Sequence, residues 1–171
     1  IASWPGKIPV GSTCGELICF ADILATVASL IGEKLPNDAG EDSFDISPLL
    51  LGEKPAIPIR KGMVHVNYGS YTLAIREGDW KLIHWFGDYL DTSGFTPDDK
   101  PYGKLVVGSR TELYHLRDDP GERKDLAADR PKKTAHLTKT LHAWHDRTGA
   151  ALPTPNPAFD EVRWWTSGID N

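Results

Sequence analysis

Methionine occurs once in these 171 residues, cysteine twice, and no cluster of Lys or Arg exceeds a pair such as Lys132-Lys133. Each scarcity removes a class of function. Cys14 and Cys19 lie five positions apart, a spacing that matches no common zinc or redox signature, and they leave the compartment open. The missing basic cluster and a net charge of -5, with an isoelectric point near 5.6, exclude a nucleic-acid footprint. The longest apolar-rich stretch, Leu17 to Ile31, is interrupted by Cys19, Asp22, Thr26 and Ser29, too short and too polar for a membrane span. The chain begins Ile1-Ala2-Ser3-Trp4 and its one Met is Met63, so it reads as a fragment lacking its true N-terminus and any signal peptide. Gly-rich phosphate loops, a G-x-S-x-G elbow and a Cys/His nucleophile pair are all absent, which leaves no self-contained active site to assemble.

What is present reads as a small α+β unit, 40% hydrophobic and 25% charged, large enough for a real core. The clearest signal is Tyr71 to Phe86. Leu73 and Ile75 alternate against Thr72, Ala74 and Arg76; Trp80, Leu82, His84 and Phe86 then share a face opposite Lys81, Ile83 and Trp85. Gly78-Asp79 between the runs supplies the tight turn of a hairpin. Met63 to Tyr68 and Thr111 to Leu116 add two strands, predicting a four-stranded antiparallel sheet.

Around that sheet, Ile1 to Val10 reads as the end of a buried strand entering a Trp-Pro-Gly turn. Phe20, Ile23, Leu24, Val27, Leu30 and Ile31 recur at helical steps, predicting a helix over Cys19 to Ile31 with one buried stripe and Gly32 as its C-cap. Its start is either a capping box of Thr13 and Glu16 or a first turn carrying Asp22. Glu33 to Ala56 reads as a surface loop with one helical turn at Ile46 to Leu51. Gly87 to Ser109 is an exposed excursion, Lys104 to Val107 excepted. Asp118-Asp119-Pro120-Gly121 is a turn, and Pro131 opens a helix to Thr148 whose Leu137, Leu141 and Trp144 would cover the hairpin before Gly149 stops it. From Leu152 the chain should be extended, with Trp164-Trp165 either folding back or touching other chain.

Six histidines invite a metal reading. His142 and His145 fall on one helix face but lack convergent third and fourth ligands, so they read as surface histidines. His84 and His115 read as satisfied, partly buried strand residues. Asp98-Asp99 and Asp118-Asp119 sit in Pro/Gly loops, where turn chemistry explains both. Trp80, Trp85 and Tyr89 leave open a polysaccharide-binding platform.

Four motifs in order carry a resemblance: Trp4-Pro5-Gly6-Lys7-Ile8; Asp22-Ile23-Leu24-Ala25-Thr26; Ala74-Ile75-Arg76-Glu77-Gly78-Asp79-Trp80-Lys81-Leu82; and Glu112-Leu113-Tyr114-His115-Leu116 leading to Asp119-Pro120-Gly121-Glu122 and Asp125-Leu126-Ala127. In their order and spacing the chain resembles the C-terminal portion of a type I, formylglycine-dependent sulfatase of the arylsulfatase kind, and its Ala151 to Pro157 tail is similar to bacterial members. The resemblance implies residues 1–59 as the terminal strand and helix of a large α/β, alkaline-phosphatase-like sulfatase domain plus a connecting loop. It makes 60–150 a small four-stranded antiparallel-sheet subdomain packed by a C-terminal helix, and 151–171 an extended tail. It implies a parent that hydrolyses an aryl or carbohydrate sulfate ester with formylglycine and Ca²⁺, exported to the periplasm or beyond, and completed by a missing N-terminal sulfatase domain. The formylglycine motif C/S-x-P-x-R does not occur here, since Cys14 precedes Gly15-Glu16 and Cys19 precedes Phe20-Ala21; both read as small packing residues. No catalytic or metal residue is carried over, and the piece alone is expected to be inactive. Placement beside the cleft implies His65 and Asn67 as substrate-binding, leaving-group contacts, against the alternative that they satisfy local backbone groups. A related phosphate-ester hydrolase remains a further reading on the same scaffold.

Overall fold

The computed structural model describes residues 1–67, 72–91 and 104–151. It divides into two compact units, Ile1–Met63 with Arg76–Gly78, and Val64–Ile75 with Asp79–Asn171. Asp98-Asp99 and the Trp164-Trp165 tail lie outside the described residues.

The second unit is built on the predicted hairpin. β1 (Met63–Asn67), β2 (Thr72–Glu77), β3 (Trp80–Trp85) and β6 (Arg110–His115) form one sheet in the order β1-β2-β3-β6. β3 and β6 run antiparallel with Trp80 opposite His115, Leu82 opposite Leu113 and His84 opposite Thr111. Gly78 turns the hairpin at φ 58°, a left-handed conformation that a Cβ would strain. α3 (Pro131–Thr148) starts on its proline and stops at left-handed Gly149, as the residue pattern predicts. Its Leu137 and Leu141 are fully buried against Leu73, Ile75, Leu82 and Leu113, and each such leucine is worth about 1.5–3 kcal/mol of burial. β2 is buried on both faces over Thr72 to Ile75, Thr72 and Ala74 included.

The excursion at 87–109 differs from expectation at its ends. β4 (Tyr89–Asp91) pairs antiparallel with β5 (Lys104–Val106), Leu90 opposite Leu105. Two three-residue strands carry too little alternation to be seen in sequence, and only the second was anticipated.

The first unit corrects four expectations. Ile1 to Val10 holds no strand: Lys7 N and Ile8 N both donate to Trp4 O at 3.0 Å around Gly6 at φ 77°, and the segment is almost entirely exposed. A strand needs a ladder partner, and Pro5 and Pro9 offer no N–H. α1 (Asp22–Ile31) begins three residues later than Cys19, without a Thr13/Glu16 box; Asp22 lies in its first turn and Gly32 caps its end at φ 76°. Its apolar stripe is not buried. Phe20, Ile23, Leu24, Val27 and Ile31 are exposed, while Asp22, Thr26 and Ala28 are buried. The loop after α1 binds the helix through its polar side, with α2 (Ser47–Leu50) as the single turn within Ile46 to Leu51. Cys14 is likewise exposed instead of packed, and both cysteines are free thiols.

Candidate functional site

His65 and Asn67 alternate on β1, an edge strand of the sheet. Val64 packs toward the core, so the period of two turns His65 and Asn67 to the opposite face. Both are exposed. An imidazole and a carboxamide at this spacing can donate to and accept from hydroxyl or ether oxygens of a ligand, which is binding chemistry and not bond cleavage. β6 carries polar residues on the same outer face. Tyr114 Oη donates to Glu112 Oε2 at 2.9 Å, and Glu112 also pairs with Arg110, whose guanidinium lies 5.6 Å from the Trp85 ring centre. Burial, then the Glu112 carboxylate, pushes the Tyr114 phenol upward, so it stays a neutral donor. Sequence reasoning missed this line, although Arg110, Glu112 and Tyr114 sit at every second position and the period was available to find it.

Trp80 and Trp85 do not form a platform. They lie on opposite faces of β3, with Trp80 half-buried against the core and tilted 58° to the His115 ring. His84 is half-buried on the inner face, its Nδ1 2.7 Å from Thr111 Oγ1. Burial, then the charge of His142, holds it below the ordinary histidine value. His142 is exposed as expected, whereas His145 is partly buried. Among the described residues no three His, Cys, Asp or Glu side chains are placed to hold a metal ion, and no helix is long and apolar enough to cross a membrane.

The Asp22–Arg60 ion pair of the first unit is architectural. Asp22, fully buried, binds Arg60 and accepts from Cys19 N at 2.8 Å and Phe44 N at 3.1 Å. Burial pushes its carboxyl up, but these hydrogen bonds and the Arg60 charge outweigh it and hold the group below its ordinary value. Ser43 caps α1 from across the loop, accepting from Ala25 N at 2.9 Å, and Thr26 Oγ1 accepts from Ile46 N at 3.0 Å. Asp119 and Asp125 act similarly in the second unit: Asp119 accepts from the N–H groups of Arg123 and Lys124, and Asp125 from those of Leu113 and Ala127. These carboxylates hold backbone, as turn chemistry predicts for Asp118-Asp119.

No family model matches the chain. Individual proteins do. It is 36% identical to human arylsulfatase A over 146 residues, 82% of this chain and 28% of that protein. It is 40% identical to rat arylsulfatase G over 146 residues, 85% of this chain and 27% of the relative. Against an N-acetylgalactosamine-6-O-sulfatase of Bacteroides thetaiotaomicron it is 30% identical over 149 residues, 84% of this chain and 26% of the other. A solved Bacteroides thetaiotaomicron sulfatase of glycosaminoglycan metabolism superposes with a TM-score of 0.50 at 31% identity, covering 71% of this chain and 24% of that one. A solved 2-O GAG sulfatase superposes at 0.52 and 23%, covering 78% and 27%. The fold is thus one shared with part of solved sulfatases. The chain belongs to the sulfatase family, and it spans about a quarter of the length of the curated relatives it matches.

Proposed function

We propose that this chain is the C-terminal scaffold of an exported sulfuric-ester hydrolase acting on an aryl or carbohydrate sulfate, and that it forms a wall of the substrate cleft. The observation that carries this reading is identity of 30% or more to an N-acetylgalactosamine-6-O-sulfatase and to arylsulfatases over more than four-fifths of the chain. In the parent, formylglycine would supply the nucleophile and Ca²⁺ would neutralise sulfate oxygens. The residues here do not fit either group: neither cysteine stands in a C/S-x-P-x-R motif, and the buried carboxylate Asp22 is already spent on Arg60 and two backbone amides. Residues 1–59 then finish the large α/β domain, which accords with the bare apolar stripe of α1. Residues 60–150 form the subdomain, and His65 and Asn67 bind the leaving group, both being exposed on its edge strand.

Kinetics of the full-length enzyme test this reading. His65→Ala and Asn67→Ala should each lower kcat/KM about threefold to tenfold for the preferred sulfate ester, the worth of one lost hydrogen bond. Unchanged kcat/KM in both would remove the leaving-group role. The 171-residue chain by itself should not turn over p-nitrophenyl sulfate; measurable hydrolysis would overturn the scaffold role.

A further inference from the structure

The inner face of the sheet is aliphatic at its centre and changes character toward the end of β3. Beyond Leu82 comes His84, half-buried, with its Nδ1 2.7 Å from Thr111 Oγ1. Its ring meets Phe86 edge-on at 4.5 Å and His142 at 5.4 Å. His142 and His145, one turn apart on α3, each lie 6.0 Å from the Phe86 ring. His145 Nε2 is buried without a hydrogen-bond partner among the described residues. Three imidazoles thus gather around one phenyl ring where the second half of α3 rests on β3. Among the described residues, the other groups facing this junction carry little compensating charge. β6 contributes Thr111 and Leu113, and β2 contributes Leu73 and Ile75. From α3 the one carboxylate is Asp146, 3.5 Å from His145 Nδ1 and with its side chain 81% exposed.

We propose that this junction is a proton-operated latch, in which neutral His84 holds the second half of α3 on β3 and its protonation loosens it. A protonated His84 would be a cation in a half-buried site, packed against the Phe86 and His142 rings and with no carboxylate paired to it among the described residues. The direction of the effect follows from linkage. His84 titrates below its ordinary 6.5, through burial and then the charge of His142. Between the folded value and 6.5 the unfolded chain therefore binds more protons, and stability falls as pH drops through that window. Leu137 and Leu141, deeper in the core, keep α3 in place through residue 141, so the loosened part is the stretch beyond it.

Amide hydrogen exchange of the full-length protein at about pH 7.5 and about pH 5.5, normalised for intrinsic rates, tests the latch. Opening of residues 142–148 should rise about threefold or more at the lower pH, the scale of repulsion between two partly exposed like charges. The response should be absent in the double variant His84→Gln/His142→Gln. Equal opening at both pH values, or an undiminished response in the double variant, overturns the proposal. If that variant does not fold, NMR titration of wild-type His84 decides: titration below 6.5 supports the latch and titration at or above it refutes it.

Discussion

The two units bury different things. In the second, six aliphatic side chains from β2, β3, β6 and α3 form one shared core, four of them fully buried. In the first, the most buried side chain is Asp22, followed by Thr26, Ile46 and Ser47, while five large apolar residues on and beside α1 remain exposed. The second unit is therefore held by area removed from water, which acts without direction and tolerates small shifts. The first is held by a few directional bonds to the carboxylates of Asp22 and Asp45 and the hydroxyls of Thr26 and Ser43, each of which must be made in full. An amphipathic helix is not by itself a buried helix; α1 shows that a polar face can be the anchored one.

This contrast can be broken most sharply in the core. Leu82→Ala removes a fully buried side chain from the sheet centre and should cost about 2–5 kcal/mol. Denaturant unfolding of the chain gives the value, and a cost under about 1 kcal/mol would show that the core is looser than its burial implies. Asp22→Ala should cost about 3 kcal/mol in the first unit, because it leaves the Arg60 guanidinium, with its side chain 10% exposed, beside two unpaired amides. Hydrogen exchange confined to residues 19–46 would register it; a change appearing in α3 instead would contradict the separation. Acid should separate the units as well. Burial pushes Asp45 up, but hydrogen bonds from Ser29 and Ser47 prevail, so Asp45 and Asp22 both titrate below 3.8. Their stabilisation is fully present above 3.8 and lost as pH falls through the lower folded values. The first unit should hold at pH 5 and open below about pH 3.8, the reverse of a histidine-governed transition.

The second unit was largely legible in sequence, whereas in the first only the helix with its Gly32 cap and the turn within Ile46 to Leu51 were, for a physical reason. Alternation in β2 and β3, Gly78 at the turn, Pro131 and Gly149 at the ends of α3 are local signals, and local signals agree there with the tertiary outcome. The stripe from Phe20 to Ile31 is just as regular, but regularity reports which side is apolar and not whether anything covers it. The clamp on Asp22 joins residues 38 positions apart, and Ser43 caps α1 from 18 positions away; no spacing rule reaches that far. At the candidate site, His65 and Asn67 were readable as polar positions on a strand, and the period of two set Arg110, Glu112 and Tyr114 on one face, while the approach of Arg110 to Trp85 required knowing that β6 pairs with β3.

The smallest expected effect tests whether directional bonds in the second unit matter as they do in the first. Glu122 adopts φ 53°, the one left-handed non-glycine among the described residues, and its carboxylate receives Lys81 Nζ at 2.7 and 2.9 Å. Left-handed backbone costs such a residue about 1 kcal/mol. The pair is partly exposed, 24% and 30% by side chain, which places its worth at about 0.2–1 kcal/mol. Glu122→Gly relieves the first and loses the second, so the stability change should stay within about 0.5 kcal/mol of zero, whereas Glu122→Ala keeps the strain, loses the pair and should destabilise. A Glu122→Gly loss above about 2 kcal/mol would mean that the turn after β6 depends on one ion pair as heavily as α1 depends on Asp22.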